Sequence, residues 1–158
     1  SAASDVYKRQ QQSYENLTYY GRGPLENYID RYSSSFIGRY EDKVENQFYW
    51  YIRPQETGNK TDVRWLALLN SEGEGVKITG LQPIAFSALH FSPEDLDPGL
   101  TRKLQHTIDI VPQKNIFLHV DLKQRGLGGD NSWGMYPHNK YRLLDKKYVY
   151  SYMIELID

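Results

Sequence analysis

Apolar side chains recur at every second position over long stretches of this chain. Ile116, Leu118, Val120 and Leu122 alternate with polar residues from Asn115 to Leu122. From Lys147 to Ile157, Tyr148, Tyr150, Tyr152, Ile154 and Leu156 share one face, and Val149, Met153 and Ile157 partly fill the other. A period of two puts successive side chains on opposite sides of an extended backbone, the pattern of a strand with one face on a core. Shorter candidate strands are Leu17 to Tyr20, Gln47 to Arg53 (Phe48, Tyr49, Trp50, Tyr51 and Ile52, ended by Pro54), Asp62 to Leu69, Gly75 to Thr79 and Ile84 to Phe91. Helix signals reduce to one site: Ser92 as N-cap, Pro93 at the first helical position, Glu94 and Asp95 in the first turn, and Pro98-Gly99 as a stop. Many short strands punctuated by Gly, Pro and Asn predict an all-β, antiparallel sandwich or barrel.

The 158 residues suffice for one domain with a real core. With 19 basic and 20 acidic residues, the chain lacks the bulk charge that holds nucleic acid or a membrane surface. No apolar run approaches the roughly 20 residues that span a bilayer. There is no cysteine, so thiol nucleophiles, thiolate metal sites and disulfides are excluded. His90, His106, His119 and His138 are scattered and form no metal-binding spacing, so no metal is expected on this chain. Asn16-Leu17-Thr18 and Asn59-Lys60-Thr61 match a glycosylation pattern short enough to arise by chance. Residues 1–12 read as a non-native or disordered leader, because Ser1 to Gln10 shows neither periodicity nor an apolar face, and 13–158 as the domain. The final strand reads like a natural C-terminus, whereas the start has no structured counterpart.

The richest ligand signal is Leu127-Gly128-Gly129-Asp130-Asn131-Ser132-Trp133-Gly134. Glycines allow the turn, Asp and Asn stabilise it locally, and an indole stands on its rim. Such a loop suits a sugar: the ring covers the apolar face of a pyranose and the polar groups take its hydroxyls. A core Trp that anchors the loop is the plainer alternative.

Three blocks, in order, carry a resemblance to a family. Tyr20-Gly21-Arg22-Gly23-Pro24-Leu25-Glu26-Asn27-Tyr28-Ile29-Asp30-Arg31 resembles a G-x-G-P-x-E-N-Y-x-D-R motif. Arg53-Pro54-Gln55-Glu56-Thr57-Gly58, running on through Asn59 to Arg64 and Trp65, is similar to a P-Q-E-x-G block. Gly126 to Gly134 is similar to a G-x-G-G-D-x-S-W motif. Together they resemble the C-terminal domain of the large bacterial β-galactosidases of glycoside hydrolase family 2. The resemblance implies an antiparallel β super-sandwich like that of aldose mutarotases, of which this chain is the C-terminal portion. It also implies retaining hydrolysis of terminal β-galactosides such as lactose by two carboxylates about 5 Å apart. Both would lie on an upstream (β/α)₈ barrel, together with magnesium and a monovalent cation. This chain would carry no catalytic residue and no cofactor, and would be inactive alone.

On that resemblance Trp133 stacks on the bound sugar, and Glu26 lines the mouth of the pocket. Asn131 and Arg64 are further candidates for substrate contact. For Arg64 an ion pair with Glu56 or Asp62 is the alternative, since a buried guanidinium needs a partner. Glu56, Asn59 and Arg64 form a second polar loop. Gly21, Gly23, Pro24, Asn27, Asp30, Gly128, Gly129, Asp130 and Ser132 are expected to shape the loops, Asp30 through a local pair with Arg31 or a neighbour. The expected partners are a β-galactoside, the other domains of the same enzyme and possible further copies, with no nucleic acid and no membrane. The cytoplasm and the periplasm both accommodate such an enzyme. A free-standing carbohydrate-binding module and a mutarotase-like epimerase using His90 or His119 with Glu26 are the competing functions.

Overall fold

The computed structural model describes residues 8–10, 14–97, 99, 106–128 and 134–158. Among these residues seven strands form a single antiparallel sheet: β1 (Lys8–Gln10), β2 (Asn16–Gly23), β3 (Phe36–Lys43), β4 (Lys60–Leu69), β5 (Gly75–Leu89), β6 (Ile116–Asp121) and β7 (Tyr152–Ile157). The order is β1-β6-β5-β4-β2-β3, with β7 added on β5. The fold is therefore all-β, as the alternation predicts. The expected helix is one turn, α1 (Pro93–Leu96), closed by a capping box in which Ser92 and Asp95 satisfy each other's backbone amides.

Two strand expectations change. The aromatic run 47–53 is not a strand. Gln47 closes a 3₁₀ turn (Val44–Gln47), and the rest runs on without ladder partners, the Tyr51 amide bonding the Tyr49 carbonyl, Phe48 packing on Trp50 and Tyr49 on Tyr51. The candidates at 75–79 and 84–91 are one 15-residue strand, β5. Lys8–Gln10, inside the segment set aside as a leader, pairs with β6. β3 escapes the pattern because an edge strand carrying Arg39, Glu41, Asp42 and Lys43 has little apolar face to betray it.

β5 serves two parts of the sheet through a break in its ladder with β4. Val63 faces Ile84 and Trp65 faces Thr79, so two steps along β4 span five along β5. The excess residues bulge out. The amide of Leu81 and the side chain of Gln82 then bind Ser151, which leads the chain into β7. On β4 the break coincides with Asp62 at φ 52°, a left-handed conformation that Asp tolerates better than most residues. The first half of β5 thus meets β7 and the second half meets β6.

The core is built by side chains of β2, β4, β5 and β6. Leu17 and Tyr19 of β2, Leu66 and Leu68 of β4, Val76, Ile78, Ile84 and Phe86 of β5, and Ile116, Leu118 and Val120 of β6 are all buried in it. Tyr19 meets Phe86 edge to face, centroids 5.3 Å apart. Gly21 and Gly23 lie on the same buried face of β2. A Cβ on Gly21 would stand 2.9 Å from the Cα of Val63, and one on Gly23 would meet the Tyr19 hydroxyl and the Tyr40 ring. These glycines therefore permit close approach inside a strand instead of shaping a turn. Toward β7 the apolar face continues into the open, with Ile154 and Leu156 exposed beside their buried partners Ile78 and Val76.

Candidate functional site

Three loops distant in sequence meet at one end of β2 and β4. The first, residues 24–31, follows β2. The second, residues 54–59, leads into β4. The third, residues 122–128, leaves β6. Side chains of the first loop hold the other two.

Glu26 is the central clamp, its carboxylate only 6% exposed. One oxygen takes Tyr51 Oη and Arg31 Nη2; the other takes Thr57 Oγ1 at 3.0 Å and the Gly58 amide at 2.9 Å. Burial alone would raise its pKa. The donors Tyr51, Gly58, Thr57 and Arg31 outweigh that and hold the carboxyl below the usual range, so it is ionised. Gly58 is required there twice over: its φ is 77°, and a Cβ would lie 2.7 Å from the carbonyl oxygen of Gln47.

Asn27 is fully buried and completely bonded. Its amide nitrogen donates to the carbonyls of Arg22 and Leu25, and its oxygen accepts from the backbone and hydroxyl of Thr61. Its backbone amide donates to Asn59, whose side chain donates back to the Asn27 carbonyl, both at 2.8 Å. Lys60 is buried beside this pair and donates to Gln47 Oε1 at 2.9 Å and to the Gly58 carbonyl at 3.2 Å. Burial pushes its ammonium down to about 8, against the pull of Glu26 and Asp42.

Tyr28 and Asp30 reach the remaining parts. Buried Tyr28 donates to Glu56 Oε2 at 2.5 Å. Glu56 is exposed as a residue, and the partial burial of its carboxyl beside Tyr28 disfavours the charged form. That burial, reinforced by the charges of Glu26 and Asp121, pushes Glu56 up to about 7 despite hydrogen bonds from Tyr28 and Gln124. Asp30 accepts from the amides of Leu127 at 3.2 Å and Gly128 at 2.7 Å. Gly126 and Gly128 make room for that carboxylate, since a Cβ on either would come within 3.0 Å of it.

The geometry separates the predicted residues. Asn27, Asp30 and Gly128 build the loops, Asp30 by gripping 127–128 instead of pairing with Arg31, which goes to Glu26. Pro24 supplies a carbonyl near the Tyr19 hydroxyl, 3.4 Å away. Glu26 has its oxygens committed to protein donors and acts as a clamp. Arg64 is not drawn into the cluster. It donates to the backbone carbonyl of Asp62 and lies 5.8 Å over the Tyr20 ring. The carboxylate of Asp62 goes to Arg22 at 2.5 Å, so the expected Arg64 ion pair gives way to this one. Gly129, Asp130, Asn131, Ser132 and Trp133 lie outside the described residues. His90 is engaged on both ring nitrogens, by the Asn115 carbonyl at 3.2 Å and Glu15 at 3.1 Å. Sequence reasoning missed Tyr51, Thr57, Gly58 and Gln124. Only the P-Q-E-x-G block hinted at the middle two. Among the described residues no group of three or more His, Asp or Glu side chains has the arrangement of a metal site.

The described parts of the three sequence blocks thus meet at one end of the sheet, the third block through Gly126–Gly128. The family model described as "Beta galactosidase small chain" matches residues 7–154. The chain belongs to that family. A beta-galactosidase of Priestia megaterium is 39% identical over 131 residues, covering 83% of this chain and 12% of the relative. One from Streptococcus thermophilus is 34% identical over 144 residues, covering 90% of this chain and 14% of the relative. One from Halalkalibacterium halodurans is 33% identical over 131 residues, covering 82% and 12%. The chain thus spans a small part of the length of the curated relatives it matches.

Proposed function

We propose that this small-chain domain works as part of a β-galactosidase, forming one wall of the galactoside pocket and presenting Trp133 to the sugar. The reading is supported above all by the convergence of the three family blocks. Glu26 binds the 57–58 loop, Asn27 binds Asn59 and Thr61, and Asp30 binds the 127–128 loop that runs on to Trp133. A loop pinned at its start by a carboxylate can carry an indole at a set position, and a set position is what stacking on a pyranose needs.

The two glutamates of a retaining mechanism belong to another domain in this reading, as do the magnesium and the monovalent cation. No step passes through a metal on this chain. The domain contributes binding and orientation, and the 158-residue chain alone hydrolyses no galactoside. Other domains of the same polypeptide are its first partners, and lactose and related β-galactosides its substrates.

The test uses the whole enzyme that carries this chain. Trp133→Ala lowers kcat/KM for lactose by about tenfold or more, the loss of one stacking contact, and Trp133→Phe restores part of it. Unchanged kinetics in Trp133→Ala would overturn the reading.

A further inference from the structure

On the side of the 48–52 segment away from Tyr51 and the Glu26 clamp lies a cleft of about 380 Å³. Its lining includes Glu15, Lys43, Glu45, Trp50, His90 and Lys114. We propose that this cleft is a second carbohydrate-binding site, which takes one neutral hexose unit against the face of Trp50.

The indole carries the argument. Trp50 is 61% exposed, yet it is not loose. Phe48 meets it edge to face at 4.9 Å with the ring planes 82° apart, and Phe48 is itself held by Phe91 at 4.4 Å. An edge-to-face contact supports the indole while leaving ring surface uncovered. A rigid, uncovered aromatic surface beside a polar cleft is the arrangement that receives the C–H face of a pyranose. The cleft lining takes Phe48 and Trp50 from this segment and neither Tyr49 nor Tyr51. Phe48 and Trp50 pair on one side, while Tyr49 and Tyr51 pair on the other, where Tyr51 reaches Glu26.

Charge and size select the ligand. Lys43 pairs with Glu45 at 3.9 Å, and Lys114 and Glu15 add one charge of each sign, so the lining favours no net charge on the ligand. Ammonium donors and carboxylate acceptors together match hydroxyls, which serve as both acceptor and donor. The volume is within the usual range for small-molecule sites, roughly 300–1,000 Å³. The Glu15–His90 pair, part of the lining, ties the chain before β2 to the residue after β5. A neutral hexose, or the end unit of a longer galactoside, fits these features; a phosphorylated sugar would be no better held.

The site is independent of the Trp133 reading, and its test keeps the two apart. Galactose, lactose and a galacto-oligosaccharide are titrated into the 158-residue chain, followed by saturation-transfer NMR and indole fluorescence, with sorbitol as an acyclic control. Saturable binding of the cyclic sugars is expected. It weakens about tenfold or more in Trp50→Ala, is partly kept in Trp50→Phe, and is unaffected by Trp133→Ala. Preference for the oligosaccharide over galactose would assign the cleft to a chain end, and equal binding to a single hexose. The proposal is overturned if sugars do not bind, if Trp50→Ala binds like the parent, if Trp133→Ala alone abolishes binding, or if sorbitol binds equally well. A loss of lactose turnover in Trp133→Ala leaves this outcome untouched.

Discussion

Glu26 and Glu56 lie close together and differ in what surrounds them. Glu26 has donors on both oxygens and stays ionised, whereas Glu56 has only Tyr28 and Gln124 to set against burial and two neighbouring acids. The contrast has a pH signature. Glu56 is raised from its ordinary value of 4.5 to about 7, so between these values the folded chain binds more protons than the unfolded one. Its contribution to stability is fully present below pH 4.5 and is lost as pH rises through 7. In thermal melts from pH 4 to 8, Glu56→Gln should flatten that part of the profile and gain relative to the parent above pH 7. A parallel shift at every pH would contradict the assignment. Gly21 carries a different kind of constraint. Gly21→Ala brings a Cβ to within 2.9 Å of the Val63 backbone, and urea denaturation should show about 1–3 kcal/mol of lost stability. Neither environment was legible from residue type. A glutamate in a motif reads as a ligand contact, and whether its oxygens are already engaged depends on donors 25 to 32 residues away.

At the scale of elements, the pattern identified β2, β4 and β6, each of which sends side chains into the core, and it placed β7 too early, since only Tyr152–Ile157 of the expected 147–157 is strand. It failed where that condition fails. The aromatic run at 48–52 is rich in strand formers, but its rings pack on one another and its backbone finds no ladder. β3 lies at an edge with mostly exposed side chains. The sharpest element-level device is the grip of Asp30 on the amides of Leu127 and Gly128. Asp30→Ala should leave the sheet intact and release this loop. Hydrogen exchange at those two amides should accelerate about tenfold or more, the equivalent of one charge-assisted hydrogen bond, while β4 and β5 amides stay protected. Unchanged exchange at 127 and 128 would show that other contacts hold the loop.

Across the whole molecule, the core face runs off its own sheet. Val76 and Ile78 are buried, while Leu156 opposite them is 80% exposed and Ile154 is 39% exposed. An apolar margin on an outer strand promotes association. Light scattering of the 158-residue chain should detect concentration-dependent self-association, reduced in Leu156→Lys, with the fold retained because that side chain packs on little. A monomeric parent at high concentration would refute this. The amino-acid order by itself determined the all-β class, the capped single turn at Ser92 and the three polar blocks, because period, capping and turn chemistry are local properties of neighbouring residues. Tertiary structure alone decided that β5 is one bulged strand, that Asp62 pairs with Arg22, that Glu26 gathers four donors while Glu56 gathers two, and that Trp50 lines a cleft. Those outcomes depend on which distant donors, acceptors and rings the folded sheet brings within contact distance, and spacing along the chain does not encode that.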